Sequence, residues 1–269
     1  VPPVAITQCT INDQRNALIA WTNAVATYEG IHLTIDGTPV PESPLPGSFQ
    51  SYTSAPLGPG EHTITVQPFI GAVSAEPRSC SPGAPLPAPY NLACTPDPAS
   101  WRVALAWTNA WAYTSVTIVR NGAIVVTLAG SPRTYTDTVP APGFHTYEVY
   151  GTVADLDSDS VSCTTEVTYV PPVTAFACEF DAARMAHVTW VNGAANYSAI
   201  ELLIDGAAAP ESPLGGGGMR YDSAPLVPGT HTFALRPSIG AYRAAAALTC
   251  AAAPLPPVSG LTCTAGTNN

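Results

Sequence analysis

The chain has 269 residues, a net charge of −10 and only 10% charged residues, against about 25% in ordinary soluble proteins. All nine cations are arginine and there is no lysine. This balance speaks against binding a phosphate backbone, and no apolar run reaches the roughly 18 residues a membrane span needs.

In chain order the first elements are strands, because apolar residues alternate with period two. Ala17, Ile19 and Trp21 share one face, then Ile31, Leu33 and Ile35. Asp36-Gly37 follows, a pair suited to the positive φ of a type I′ hairpin turn. Pro59-Gly-Glu-His62-Thr63 leads into a late strand with Ile64 and Val66, and Cys80 closes the segment that Cys9 opens. The same text is then written twice more. Val103, Leu105 and Trp107, Asn121-Gly122, Pro142 to Thr146, and Tyr147 with Val149 lie between Cys94 and Cys163. Val188 and Trp190, Ile200, Leu202 and Ile204, Asp205-Gly206, Pro228 to Thr232, and Phe233 with Leu235 lie between Cys178 and Cys250. The openings Cys9, Cys94, Cys178 and Cys263 recur at intervals of 85, 84 and 85 residues, long enough for one domain with its own core. A Trp-x-Asn triplet recurs at Trp21–Asn23, Trp107–Asn109 and Trp190–Asn192.

The expected organisation is therefore three antiparallel β-sandwich domains, residues 1–82, 83–167 and 168–252, and the first strand of a fourth over residues 253–269. The first and third share Pro-Glu-Ser-Pro-Leu (Pro41 to Leu45, Pro210 to Leu214) and Ser-Ala-Pro-Leu (Ser54 to Leu57, Ser223 to Leu226), which the second lacks. The types alternate A-B-A, and Pro254-Leu-Pro-Pro echoes Pro85-Leu-Pro-Ala ahead of the second repeat. The proline-rich joints Ser81 to Pro89, Val170 to Val173 and Ala253 to Val258 are expected to be extended and semi-rigid, giving a rod. In the last segment Leu255, Val258, Leu261 and Cys263 would pair with further protein, either the rest of a fourth repeat or an adjoining copy.

Paired cysteines without Cys-x-x-Cys spacing point to disulfides and an oxidising compartment rather than to metal. Pairing within repeats (Cys9–Cys80, Cys94–Cys163, Cys178–Cys250) would close loops of about 70 residues, worth roughly 4 kcal/mol each in the chain-entropy model. Pairing across joints (Cys80–Cys94, Cys163–Cys178, Cys250–Cys263) is the alternative; the longer loop favours the first. Asp155-x-Asp157-x-Asp159 with Glu166 has part of a calcium-loop spacing, but Ser160 stands where the sharp turn wants Gly, so a solvated hairpin is the expectation. His62, His145 and His231 lie in different repeats and cannot share an ion; each is expected to bond a nearby backbone group. Gly215 to Gly218 lacks the Lys-Ser/Thr of a phosphate cradle. Asn196-Tyr197-Ser198 fits a glycan sequon, so glycans are an expected decoration. No catalytic set, cofactor site or metal site is indicated.

The early-strand tryptophans (Trp21, Trp107, Trp190), the tyrosines that follow (Tyr28, Tyr113, Tyr197) and the late Pro-Gly resemble fibronectin type III-like modules of bacterial secreted proteins. The histidines His62, His145 and His231 stand where that family often has a corner tyrosine, and most such modules lack a disulfide, so an immunoglobulin-like topology stays open. The resemblance implies a fold and little about function. The sequence reading is a non-enzymatic extracellular or cell-surface protein that self-associates into a filament, sheath or stalk. The other reading is a spacer or ligand-binding array attached to a secreted enzyme or adhesin.

Overall fold

The computed structural model describes residues 1–25, 27–193 and 196–253, and they contain strands and turns but no helix. In the first repeat the alternating segments become β1 (Ala5–Ile11), β2 (Asn16–Thr22), β3 (Gly30–Ile35), β4 (Thr38–Pro39), β5 (Leu45–Pro46), β6 (Ser51–Pro56), β7 (Gly60–Glu61), β8 (Ile64–Ile70), β9 (Val73–Ser74) and β10 (Arg78–Cys80). One sheet has the order β1-β2-β6; the other runs β10-β8-β3-β4, with β5 also on β3 and β9 on β8. All the pairings given for these strands are antiparallel. The inward positions close one core: Ala17, Ile19 and Trp21 from β2, Ile31 and Leu33 from β3, Ile64 and Val66 from β8. Each fully buried large apolar side chain there contributes about 1.5–3 kcal/mol. Cys9 on β1 is bonded to Cys80 on β10 with Cα atoms 6.4 Å apart, so the disulfide ties one sheet to the other.

The pairing of β4 and β5 decides the topology. Both join β3, in the sheet of β8 and β10. A constant-type immunoglobulin domain would place its fourth strand beside β6 instead. The turn between β3 and β4 has Asp36 at φ 51° and Gly37 at φ 76°, as a type I′ hairpin requires. Asn121-Gly122 and Asp205-Gly206 adopt the same pair of positive φ values.

The third repeat has the same plan. Thr174–Phe180, Ala186–Val191 and Arg220–Asp222 form one sheet. Ala199–Ile204 is central to the other, flanked by His231–Ile239 and by the short Ala207–Ala208 and Leu214–Gly215. Val188, Trp190, Ile200, Leu202, Phe233 and Leu235 fill its core, and Cys178 is bonded to Cys250. In the middle repeat Tyr90–Pro96, Arg102–Thr108 and Thr134–Thr138 make one sheet, and Ala123–Ala129, Ser115–Arg120, Gly143–Val153, Leu156–Asp157 and Val161–Val167 make the other. Val103, Leu105, Val116, Ile118, Tyr147 and Val149 are buried, and Cys94 and Cys163 are disulfide-bonded. One element differs in kind: a seven-residue strand, Ala123–Ala129, replaces the two short pieces β4 and β5.

By spatial proximity the backbone groups into two compact units. Val1–Leu92, Ala106–Thr134 and Tyr147–Cys163 form the first, and Ala93–Leu105, Tyr135–Thr146 and the described residues from Thr164 to Ala253 form the second. The middle repeat thus contributes segments to both.

Candidate functional site

Residues that recur in all three repeats form a polar network beside each core tryptophan, and in the second and third repeats the indole joins it. Trp107 Nε1 donates to Asn109 Oδ1 at 2.8 Å, and Trp190 Nε1 to Asn192 Oδ1 at 3.1 Å. In the first repeat Trp21 Nε1 and Asn23 Oδ1 are buried without a hydrogen-bond partner. In every repeat the asparagine Nδ2 then donates to a glycine carbonyl: Asn23 to Gly47 O at 3.1 Å, Asn109 to Gly130 O at 2.8 Å, Asn192 to Gly216 O at 3.0 Å. Each of these glycines lies against a tyrosine backbone so closely that a Cβ would fall 1.9, 1.8 and 1.8 Å from the carbonyl oxygens of Tyr28, Tyr113 and Tyr197. The same tyrosines send their hydroxyls to the proline segment leading into their repeat. Tyr28 donates to Pro2 O at 3.0 Å, Tyr113 to Pro87 O at 2.7 Å and Tyr197 to Pro171 O at 3.0 Å. The asparagine of the Trp-x-Asn triplet is therefore the root of a chain of contacts to the joint in every repeat, and in the second and third that chain begins at the core indole.

The recurring histidines do more than bond backbone. His62 Nδ1 lies 2.7 Å from Asp36 Oδ2 and its Nε2 lies 2.9 Å from Gly58 O. His231 repeats this with Asp205 Oδ2 at 2.6 Å and Val227 O at 2.9 Å. The second oxygen of each carboxylate accepts the N–H of Thr63 or Thr232 at 2.8 Å. A carboxylate and a carbonyl both only accept, so both bonds are made together only by the imidazolium form of each ring. For His62, burial opposes the charge, but the bonds to Asp36 and Gly58 outweigh it and raise its pKa. For His231 the Val227 carbonyl and then Asp205 raise it. Asp36 is lowered by His62, and Asp205 by the Thr232 N–H and His231. In the middle repeat Asn121 takes the aspartate's place, and His145 Nε2 bonds Ala141 O at 3.1 Å.

The sign of the pH dependence follows. A histidine with a raised folded pKa contributes stability that is complete below its ordinary 6.5 and is lost as pH rises through the folded value. The aspartates' contribution is present above their ordinary 3.8 and is lost as pH falls through their lowered values. His187, raised by Asp222, acts in the same direction as the other two histidines. The melting temperature is expected to fall as pH rises above about 6.5, with a shallower fall in a His62→Gln/His231→Gln variant. Equal slopes in a calorimetric pH series would contradict the clamps.

The type A segments Pro-Glu-Ser-Pro-Leu and Ser-Ala-Pro-Leu also hold the fold. Ser43 and Ser212 Oγ accept the N–H of Leu33 and Leu202 at 3.1 and 3.0 Å. Buried Ser54 and Ser223 Oγ accept Ala17 and Ala186 N–H, each at 2.9 Å. Burial and Glu42 push the Tyr52 phenol up to about 12, and burial and Glu211 do the same to Tyr221.

Two tryptophans outside the repeated pattern serve the joints. Trp101 donates Nε1 to Tyr169 O at 2.8 Å and packs on the core of the third repeat. Trp111 carries the Arg15 guanidinium 4.4 Å above its ring. Their signal in the sequence was their absence from the repeat. The acidic motif is dispersed: Asp155 is in a turn at φ 65°, Asp157 accepts the Thr152 hydroxyl at 2.7 Å, and Glu166 accepts the Tyr242 hydroxyl at 2.9 Å. No group of three or more His, Cys, Asp or Glu among the described residues could hold a metal ion. Asn196 of the sequon is exposed. Leu255, Val258, Leu261 and Cys263 lie outside the described residues.

No protein-family model and no curated protein matches the chain. Among solved structures it is similar to a two-domain fibronectin type III segment of chicken tenascin, with TM-score 0.51 and 17% identity over 62% of this chain and 98% of that one. The central fibronectin-III array of RIM-binding protein aligns over 96% of this chain and 98% of its own at TM-score 0.29 and 14% identity. The FN1-FN3 domains of chicken CNTN1 align over 94% and 99% at TM-score 0.31 and 11% identity. The likeness to the tenascin segment is one of fold. With the strand order above, it makes the chain a tandem array of fibronectin type III-like β-sandwiches carrying disulfides, a repeat-module protein.

Proposed function

We propose that this chain is a structural, non-enzymatic protein of the extracellular space or cell surface, building or decorating a filament, sheath or stalk by self-association. One observation carries the reading. The Asn and Tyr side chains that recur at every repeat are engaged in holding core to joint, which is the demand placed on a spacing or assembling module. Disulfides in small sandwiches favour an oxidising compartment. No helix among the described residues is long and apolar enough to cross a membrane. The test is negative-stain microscopy of the purified protein. Long filaments or sheets are expected; separate short particles at every concentration would reject the reading.

The second reading, a ligand-binding array, is supported by one feature. An open cleft of about 620 Å³ beside Trp111 is lined by Asn109, Tyr113, Ser131 and Arg133. An oligosaccharide titration that quenches tryptophan fluorescence in the native chain but not in Trp111→Phe would favour it.

A further inference from the structure

The strand Ala123–Ala129 is the outer strand of its sheet, with Ser115–Arg120 on its inner side. Among the described residues no other strand pairs with it. Its sequence, Ala-Ile-Val-Val-Thr-Leu-Ala, has no charge and no proline, and Ile124 is 66% exposed. Edges of this kind are open templates, and proteins ordinarily block them with charge, proline or short length. The first and third repeats do block the same edge. There it is reduced to two-residue pieces, Thr38–Pro39 and Leu45–Pro46, or Ala207–Ala208 and Leu214–Gly215. Pro41 and Pro44, or Pro210 and Pro213, interrupt them. The chain thus carries its own control: two copies of the edge are closed and one is open.

We propose that Ala123–Ala129 is an interaction surface that pairs antiparallel with the same strand of a second copy of this chain, joining two sheets into one. The occupant follows from charge. The chain is strongly acidic, so two copies repel, yet residues 98–136 contain no Asp or Glu, and their three arginines leave the strand itself neutral. Two copies that meet on this strand therefore bring no carboxylate to the contact from the strand itself. A neutral strand rich in β-branched residues is also a good partner for its own copy, since antiparallel pairing sets apolar side chains opposite one another. A two-fold contact of this sort is self-complementary and needs no second surface. The proposal rests on the self-associating reading given above and names its lateral contact.

The test uses the full chain. Sedimentation velocity over a concentration series measures association, and amide hydrogen exchange of residues 122–130 in dilute and concentrated samples locates it. The native chain should associate and protect 122–130 as it does so. Ile124→Lys and Ala129→Lys, both at exposed positions, should each weaken association by about tenfold or more by placing a charge on the uncharged edge, as natural edge strands do to block pairing, with unchanged melting. Unaltered association in both variants would overturn the proposal, as would a native chain without concentration-dependent protection of 122–130. Cross-links joining 122–130 to a different segment of the second copy would also overturn it. Filaments that persist in Ile124→Lys would defeat this contact and leave the structural reading standing. Strand-paired dimers without filaments would do the reverse.

Discussion

Gly216→Ala is expected to destabilise the third repeat by about 3 kcal/mol, at the upper end of overpacking costs. Gly217→Ala, one residue on, should stay within about 0.5 kcal/mol of native. In a run of four glycines that look alike in sequence, only Gly216 meets backbone this closely. Its added Cβ would lie 1.8 Å from Tyr197 O and 2.4 Å from the carbonyl carbon, whereas Gly217 has nothing within 4 Å. A backbone carbonyl cannot swing aside like the end of a long side chain. Relief would require moving the strand start at Ala199 or breaking the 3.0 Å bond from Asn192 to Gly216 O. Calorimetric melting of the two variants against the native chain measures the difference, and equal melting temperatures would remove the glycine from the network.

Trp107→Ala should cost about 3–5 kcal/mol and unfold the middle repeat. The indole is 5% exposed, so its removal leaves a cavity the neighbouring strands cannot fill. It also strips Asn109 Oδ1 of its 2.8 Å bond while Asn109 Nδ2 must still hold Gly130. Near-ultraviolet dichroism and exchange of the amides in residues 102–120 should report the loss. A melting curve superimposable on the native one would contradict the core placement.

The strands were legible because an alternating segment has one way to bury its apolar face. Ala17, Ile19 and Trp21 could serve a core only as a strand, and the same held at Val188 and Trp190. Asp36-Gly37 and its counterparts were legible because few pairs tolerate two successive positive φ values. What stayed hidden was polar and non-local. Tyr113 and Pro87 are 26 residues apart, and neither residue type announces a bond to the other. Asp36 was readable as a turn residue, but its grip on His62 depends on β3 and β8 lying side by side. The fourth strand was hidden too, since prolines break its pattern in the first and third repeats. The contrast with Ala123–Ala129 lies in which strands pair, a non-local property.

The recurring tyrosines hold each joint to the repeat that follows it. Amide hydrogen exchange of the full chain, native against Tyr113→Phe and Tyr197→Phe, tests it most directly. Each substitution removes one hydroxyl and leaves the buried ring. Exchange about five- to tenfold faster is expected in residues 84–92 for the first variant and 168–176 for the second, the loss expected for one net hydrogen bond, with the core strands unchanged. Joints that exchange at native rates in both variants would contradict it.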